Sequence, residues 1–302
     1  MLSLVTHPAY DIPLPSGHNF PATKFSRLMA RLDADGLTDR FSRFHPEPAG
    51  RADLWPTQSA AYVDAVASGT LDAAALRVLG LTWSQVLANR SFLAVNGTLL
   101  AARQALRHGL ACHGAGGTHH AHHGHGAGYC VFNDLAYSAV RLIAEGAVRQ
   151  VLILDCDVHQ GDGTARILAG RPDIFTCSLH CPANYPARKA DSDLDIEIEK
   201  GADDAAYLGI LGDTLHRLQR VMTPDLVLYD AGVDIHEGDR LGLLKVSYDG
   251  ISRRDAMVLR HFRSRDIPVA TVIGGGYGTD LDEVAYRHSL VFHAAAAEFG
   301  NG

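Results

Sequence analysis

The sequence predicts an α/β protein with a central parallel sheet covered by helices on both faces. Short apolar runs recur along the chain, each ends in a polar, glycine-rich segment, and helical patterns lie between several of them. This alternation is typical of parallel sheets, because their crossover helices cover both faces. An eight-stranded barrel is the competing arrangement. The irregular strand spacing and the lack of clear strands in the N-terminal third favour the open sheet.

The predicted elements are short and follow one another closely. The part before about residue 107 reads as loops and helices. In one of these helices Asn96 is a candidate N-cap, since Leu99 and Leu106 follow it near helical spacing. The predicted helices cover residues 57–66, 96–107, 134–145, 205–221 and 252–265. The predicted strands cover residues 109–112, 151–154, 174–179, 226–229 and 268–273.

Length and composition describe an ordinary globular chain. Of its 302 residues 47% are hydrophobic and 20% are charged, which excludes disordered, collagen-like and small disulfide-bonded proteins. With 27 basic against 34 acidic residues the net charge is −7, which argues against binding nucleic acid through its phosphates. No internal repeat, long linker or break in composition divides the chain, so we expect a single domain over residues 1–302.

The sequence indicates a cytoplasmic protein. Its longest apolar runs fall far short of the roughly 18 residues of a membrane span. The N-terminus lacks the basic start and long apolar stretch of a secretory signal. The five cysteines are sparse and odd in number, and we interpret them as free thiols in a reducing compartment.

Polar residues cluster directly after four of the predicted strands. Ligands of open α/β sheets bind beyond the carboxyl ends of the strands, so these segments would meet at one edge. They carry histidines, aspartates and a tyrosine within the sequences HGAGGTHHAHHGHGAGYCVFND, DCDVHQGDG, DAGVDIHEGDRLG and GGGYG. This convergence predicts a functional site at that edge.

Three residues that follow two of these strands form a candidate metal site. Asp157 and His159 are two residues apart, so in an extended backbone they point to the same side. Asp234, after another buried strand, adds a second carboxylate. Three protein ligands leave coordination positions open, as catalytic metal sites do. Mixed oxygen and nitrogen ligands suit Zn²⁺, and also Fe²⁺ or Co²⁺.

Five of the 17 histidines lie within seven residues. Taken alone, this is a low-complexity metal-binding tract. The first two, His119 and His120, follow a glycine-rich turn, where a neutral histidine could take a proton from water and return it to a leaving group. Asp155 and Asp162 are available to fix the tautomers of this pair. We expect the remaining three to be solvated loop residues: His122, His123 and His125.

Tyr277 lies within the sequence GGGYG. Glycines let a loop pass close to a ligand, and a tyrosine hydroxyl projecting from such a loop could donate to a developing oxyanion. A turn tyrosine on the surface is the alternative interpretation.

Together these segments resemble the zinc-dependent histone deacetylase family, most closely its class IV branch with its bacterial relatives. The matching stretches run from residue 7 to 278 and are HPAYDIPLP, GGTHHA, GAGYCVFND, ILDCDVHQGDGT, SLH…YP, YDAGVDIHEGDRLG and GGGYG. The resemblance implies the arginase-like three-layer fold, with a central parallel sheet of about eight strands and helices on both faces. It also implies hydrolysis of N-ε-acyl-lysine amides to lysine and a carboxylate.

The resemblance assigns a role to each matching residue. It implies three zinc ligands, namely Asp157, His159 and Asp234. It implies a catalytic group with His120 as the better match for the general base, and its members are His119, His120, Asp155, Asp162 and Tyr277. It implies walls for an acyl-lysine tunnel, formed by Gly128, Tyr129 and Tyr185. It further implies a structural K⁺ site at Asp155, Asp157, His159, Ser178 and Leu179.

Three residues depart from the family's pattern. Gln160 stands where many members have a second histidine. Tyr129 and Tyr185 replace the usual phenylalanines, which makes the tunnel more polar. The acidic residue that clamps the substrate backbone at the rim in classes I and II has no match, so the preference for peptide sequence stays open.

Other functions stay open at this point. A deacetylase of acetylpolyamines or other small amides would use the same ligands with a different rim, and some class IV relatives prefer long fatty acyl groups on lysine. A non-catalytic, histidine-rich protein would instead bind metal through the five-histidine tract. The expected partner is an acyl-lysine protein or peptide or a small acylated amine, and we expect neither nucleic acid nor membrane binding.

Overall fold

Eight strands form one sheet in the computed structural model, which describes residues 2–15 and 17–299. The strands are β1 (Leu2–Val5), β2 (Phe41–Phe44), β3 (Leu110–His113), β4 (Val151–Asp155), β5 (Ile174–His180), β6 (Leu194–Glu197), β7 (Leu226–Asp230) and β8 (Val269–Val272). Their order across the sheet is β2-β1-β3-β8-β7-β4-β5-β6, and every neighbouring pair is parallel. The sheet is open with β2 and β6 at its edges, so the predicted α/β fold is confirmed and the barrel is excluded.

The helices pack in two groups around this sheet. In one group α1 contacts α10, which contacts α9, which contacts α8, and in the other α5 packs on α6 and on the central strands. The helices are α1 (Lys24–Ala34), α2 (Arg51–Leu54), α3 (Ala60–Ser68), α4 (Ala73–Leu79), α5 (Gln85–His108), α6 (Asp134–Ala144), α7 (Asp162–Leu168), α8 (Asp204–Val221), α9 (Tyr248–Arg263) and α10 (Leu281–Phe299). All five predicted strands and four of the predicted helices match elements of the structure within a few residues.

The N-terminal third contributes two strands, so the prediction of only loops and helices there is wrong. Strand β1 has four residues, all buried, and it pairs with both β2 and β3. The run LSLV is too short for its periodicity to distinguish a strand from a buried helical turn. Its place in the sheet is decided by pairing with residues far along the chain.

Asn96 is not a helix cap. It lies in the middle of α5, whose N-cap is Ser84, with the Ser84 hydroxyl accepting from the Leu87 N–H at 3.1 Å. The Asn96 side chain instead donates to the carbonyl of Glu47 at 2.8 Å. The predicted helix 96–107 is therefore the second half of a helix that begins at Gln85.

The carboxyl ends of the central strands bring the candidate site residues together. β4 and β7 are neighbours in register, with Asp155 opposite Asp230. β8, which leads into the GGGYG loop, pairs with β7 on one side and β3 on the other. The four polar segments of the sequence thus leave the sheet side by side.

A buried arginine on α9 links the loops that follow β4 and β7. The side chain of Arg254 is 0% exposed. It donates to the carbonyls of Gly232 at 2.5 Å, Ala231 at 3.0 Å and Cys156 at 3.4 Å. Asp255 balances its charge at 2.9 Å. These carbonyls lie just before Asp157 and Asp234, beyond the ladder of the sheet, so Arg254 provides hydrogen bonds that the strands no longer supply.

Replacing Arg254 by methionine is expected to lower the free energy of unfolding by about 3–5 kcal/mol, because Asp255 and the three carbonyls would stay buried without their partner. Arg253→Met is the matched control on the same helix. Arg253 is 61% exposed and its pair with Asp249 is 3.5 Å long, so a change within about 0.5 kcal/mol is expected. Urea unfolding of both variants measures this, and equal losses would contradict the proposed link.

Candidate metal centre and active site

The loop after β3 holds His119 and His120 through a hydrogen-bonded turn. The carboxylate of Asp134, at the start of α6, accepts from the N–H of Thr118 at 2.7 Å and from that of Gly117 at 3.1 Å. The carbonyl of His119 accepts from the N–H of Thr164 at 3.0 Å. The histidine pair is therefore fixed by the first residues of α6 and α7.

Each of the two histidines has its own carboxylate. His119 Nδ1 donates to Asp155 Oδ2 at 2.7 Å, and His120 Nδ1 donates to Asp162 Oδ1 at 2.8 Å. Since both Nδ1 atoms carry a proton, both Nε2 atoms are directed elsewhere, and they lie 3.1 Å apart. All four side chains are buried. The structure thus places one of the two aspartates expected to fix the tautomers beside each histidine.

The environments of the two rings push their pKa values in opposite directions. Burial alone would lower the pKa of His119, but the carboxylates of Asp155 and Asp157 raise it well above its usual value. Burial, followed by the charge of His119, lowers the pKa of His120 to about 3. At neutral pH these shifts keep His119 protonated and His120 neutral.

Asp157, His159 and Asp234 form a compact set of potential metal ligands, called the donor set below. Their ligand atoms all lie within 4.8 Å of one another, and all three residues are buried. His159 Nδ1 is 3.0 Å from Asp157 Oδ1 and 3.0 Å from Asp234 Oδ2. Burial and the neighbouring Asp157 raise the pKa of Asp234 to about 7. Two carboxylates buried this close repel each other, so a divalent cation fits this donor set in charge and in ligand type.

Backbone groups orient the two carboxylates. The N–H of Gly275 donates to Asp157 Oδ2 at 2.7 Å, and the N–H of Val158 donates to Asp234 Oδ1 at 2.9 Å. A Cβ at position 275 would overlap both carboxylates, so only glycine fits at this position. This explains one glycine of GGGYG.

Tyr277 lies beside the donor set and is not a surface turn residue. It is 9% exposed, and its ring centroid is 6.4 Å from that of His159. Its N–H donates to Asp239 Oδ2 at 2.6 Å, and Asp239 is paired with the buried Arg287. Burial, followed by the charge of Asp234, raises the pKa of the Tyr277 hydroxyl well above its usual value, so the hydroxyl stays a donor.

An open cavity of about 280 Å³ leads to these residues. Gly128 and Tyr129 line it together with Tyr185, and His120, His159 and Tyr277 also reach it. The ring of Tyr185 packs edge-on against His120, with centroids 4.8 Å apart. The residues assigned to the tunnel walls thus do surround the path to the histidine pair.

His122 is buried, which overturns the prediction of a solvated loop residue. Its Nε2 lies 3.2 Å from Asp162 Oδ2, and the Arg166 guanidinium reaches the same oxygen at 3.0 Å. His123 and His125 are exposed as predicted. Of the five histidines in the tract, His119 is the one that belongs to a candidate metal group in the described parts of the chain. The two groups there are the set above and His119 with Asp155 and Asp230.

Gln160 serves the fold at the edge of the site. Its side-chain amide donates to Asp195 Oδ1 and to the carbonyl of Ala190, both at 2.8 Å, and its carbonyl accepts from the Ala190 N–H at 2.7 Å. These bonds attach the loop between β5 and β6, and strand β6 itself, to the loop after β4. The departure from the family's second histidine therefore has a structural use here.

Sequence reasoning missed several supporting residues. Lys24 is buried in α1, and its Nζ donates to the Gly274 carbonyl at 2.8 Å and to His288 Nε2 at 3.2 Å. It thereby holds the loop that carries Tyr277. A single lysine at the start of an amphipathic helix gives no signal of this role. Asp134 could have been found, since it closes the quoted GYCVFND segment.

Asp230 is a second missed residue. It is 0% exposed, and neither of its carboxylate oxygens has a hydrogen-bond partner among the described residues. Burial, followed by the charge of Asp155, raises its pKa well above the usual value. Its position was predictable only as the end of β7, because the facing Asp155 belongs to another strand.

Two general expectations can be compared with the structure. All five cysteines are buried and free. Within the described residues no helix is both long and apolar enough to cross a membrane.

Comparisons with known proteins agree with the geometry. Residues 18–293 match the histone deacetylase domain. An uncharacterized protein of Picosynechococcus sp. is 46% identical and covers 97% of both chains. Histone deacetylase 2 of Arabidopsis thaliana is 32% identical over 91% of this chain and 74% of its own. A probable deacetylase of Methanothermobacter thermautotrophicus is 27% identical over 95% of this chain and 90% of its own.

The fold also matches a solved structure. The crystal structure of the HDA15 HD domain superposes with a TM-score of 0.83, covering 98% of this chain and 88% of that one at 20% identity. That likeness concerns the fold, while the domain match and the plant relative concern the family. The chain therefore belongs to the histone deacetylase family and is a hydrolase of amide bonds.

Proposed function

We propose that this enzyme removes acyl groups, acetyl or longer, from the ε-amine of lysine in proteins or peptides, with Zn²⁺ as its metal. One observation carries the proposal: two buried histidine–carboxylate pairs lie against a buried donor set of two carboxylates and an imidazole. His119 Nε2 is 3.9 Å from Asp157 Oδ1, and the rings of His120 and His159 have centroids 5.8 Å apart. A proton acceptor next to an open metal site is what hydrolysis by an activated water requires.

Asp157, His159 and Asp234 would hold the ion. A divalent ion bound there supplies Lewis acidity, which polarises an amide carbonyl and makes a water molecule more acidic. Fe²⁺ or Co²⁺ suits the same oxygen and nitrogen donors. The K⁺ site predicted at Asp155, Asp157, His159, Ser178 and Leu179 stays a prediction.

The histidine pair would move the protons. His120, whose lowered pKa keeps it neutral, accepts the proton of the attacking water while Asp162 fixes its tautomer. The departing lysine amine then receives a proton from His120 or from His119, whose raised pKa keeps it charged. Tyr277 donates its hydroxyl to the oxyanion that forms at the carbonyl. Gly128, Tyr129 and Tyr185 would enclose the lysine chain.

The substrate test compares steady-state turnover by the Zn²⁺-reconstituted enzyme. The substrates are an acetyl-lysine peptide, peptides with longer acyl groups and N-acetylspermidine. We expect hydrolysis of at least one acyl-lysine peptide, with kcat/KM above that for the polyamine. A zinc-loaded enzyme that cleaves the polyamine and none of the peptides would overturn the proposed substrate class.

Tyr277→Phe is expected to lower kcat by about a hundredfold or more, because one oxyanion donor is lost while every metal ligand stays. The readouts are kcat on an acetyl-lysine peptide and zinc content by elemental analysis. Tyr248→Phe, which also loses one hydroxyl but does not line the cavity, is the control and should keep its rate. A near-normal rate for Tyr277→Phe would remove this residue from the mechanism.

Asp234→Ala is expected to abolish tight metal binding, since one of three ligands is lost from a buried set. Elemental analysis after dialysis should find about one zinc per chain in the parent enzyme and far less in the variant. Asp280→Ala, which removes an exposed carboxylate from the segment between β8 and α10, should retain its zinc. Full occupancy in Asp234→Ala would show that the ligand set is misassigned.

A further inference from the structure

The mouth of the cavity carries positive charge and no negative charge among the described residues that line it. The residues that line it include Arg77, Val78, Leu79 and Gly80 at the C-terminal end of α4, and also Tyr185 and Leu241. None of the described residues lining this cavity is Asp or Glu. Apart from the histidines at its base, Arg77 is therefore the charged side chain of this opening.

The end of α4 is attached to the tunnel wall. The N–H of Tyr129 donates to the carbonyl of Leu79 at 2.8 Å, and His18 Nε2 donates to the carbonyl of Gly80 at 3.1 Å. Gly80 has a φ of +75° and packs so closely on the Tyr129 ring that a Cβ would lie 2.9 Å from it. The backbone of this segment thus keeps Arg77 at a set position beside the opening.

The charge of Arg77 is free to interact with a ligand. Arg77 is exposed, and no acidic side chain in the described parts of the chain forms a salt bridge with it. Its neighbours at the mouth are apolar, with Val78 52% exposed and Tyr185 46% exposed. A substrate that enters here meets an apolar rim with one unpaired positive charge.

We infer that this rim favours acyl-lysine substrates carrying a carboxylate close to the acyl-lysine side chain and disfavours polycations. The inference rests on the proposed function and concerns its substrate class. The carboxylate belongs either to an acidic residue next to the acyl-lysine or to the α-carboxylate of free acyl-lysine. In both cases it pairs with the Arg77 guanidinium, whereas the amines of a polyamine are repelled.

The expected size of the effect follows from the exposure of the pair. A single solvent-exposed ion pair changes a binding constant by about two- to fivefold, and salt screens it. The preference should therefore appear in KM, since the rim lies away from the reacting atoms. It should disappear at about 1 M NaCl, where the Debye length is about 3 Å.

The test measures kcat/KM of the Zn²⁺-reconstituted enzyme on acetyl-lysine peptides that differ only in one neighbour: Glu, Gln or Lys. Free N-ε-acetyl-lysine and its α-amide distinguish the second source of a carboxylate, and N-acetylspermidine represents polycations. We expect Glu over Lys by about two- to fivefold at low salt in the parent enzyme. In Arg77→Glu the order should reverse.

Arg149→Glu is the control for net charge. Arg149 is 93% exposed and precedes β4, at the opposite end of the sheet from the site, so this variant should keep the parent preference. Equal Glu-to-Lys preferences in the parent and in Arg77→Glu would overturn the inference. A parent enzyme that cleaves no peptide at all would instead overturn the proposed function.

Discussion

The structure depends on the burial of negative charge at one edge of the sheet. Asp155 and Asp230 end neighbouring strands, and Asp157 and Asp234 follow within four residues. Burying ionised carboxylates is costly unless each is paired or hydrogen-bonded. His119 pairs with Asp155, and backbone N–H groups and His159 hydrogen-bond the carboxylates of Asp157 and Asp234. Among the described residues Asp230 has no hydrogen-bond partner, and burial together with the charge of Asp155 raises its pKa.

The same requirement explains the positive groups placed behind the site. Arg254 and Lys24 are buried without contacting the donor oxygens. Arg254 donates to backbone carbonyls of the loops after β4 and β7, and Lys24 donates to the Gly274 carbonyl in the loop that carries Tyr277. These cations offset part of the negative charge and at the same time fix the loop geometry. Rigid loops matter for chemistry because small displacements of a proton acceptor or an oxyanion donor lower the rate steeply.

The elements with a clear local signal were predictable. β4 and β7 are continuous apolar runs that end in aspartates, and α8 and α9 have helical periodicity over many residues. β1 and β2 have only four residues each, so their pairing depends on strands distant in sequence. His122 was misjudged for the same reason: it is buried against Asp162, the first residue of α7, which lies forty residues further along the chain.

The sequence by itself determined which side chains follow the ends of the strands and therefore which chemical groups could meet. These groups are recognisable from short stretches of sequence: the two-residue spacing of Asp157 and His159, the tandem histidines, and the glycines around Tyr277. Only the tertiary structure decided which carboxylate faces which histidine, that Arg254 links two loops, and that Arg77 lies at the mouth of the cavity. Those contacts join segments that are far apart in the sequence. They depend on strand register and helix packing, which no short stretch of sequence specifies.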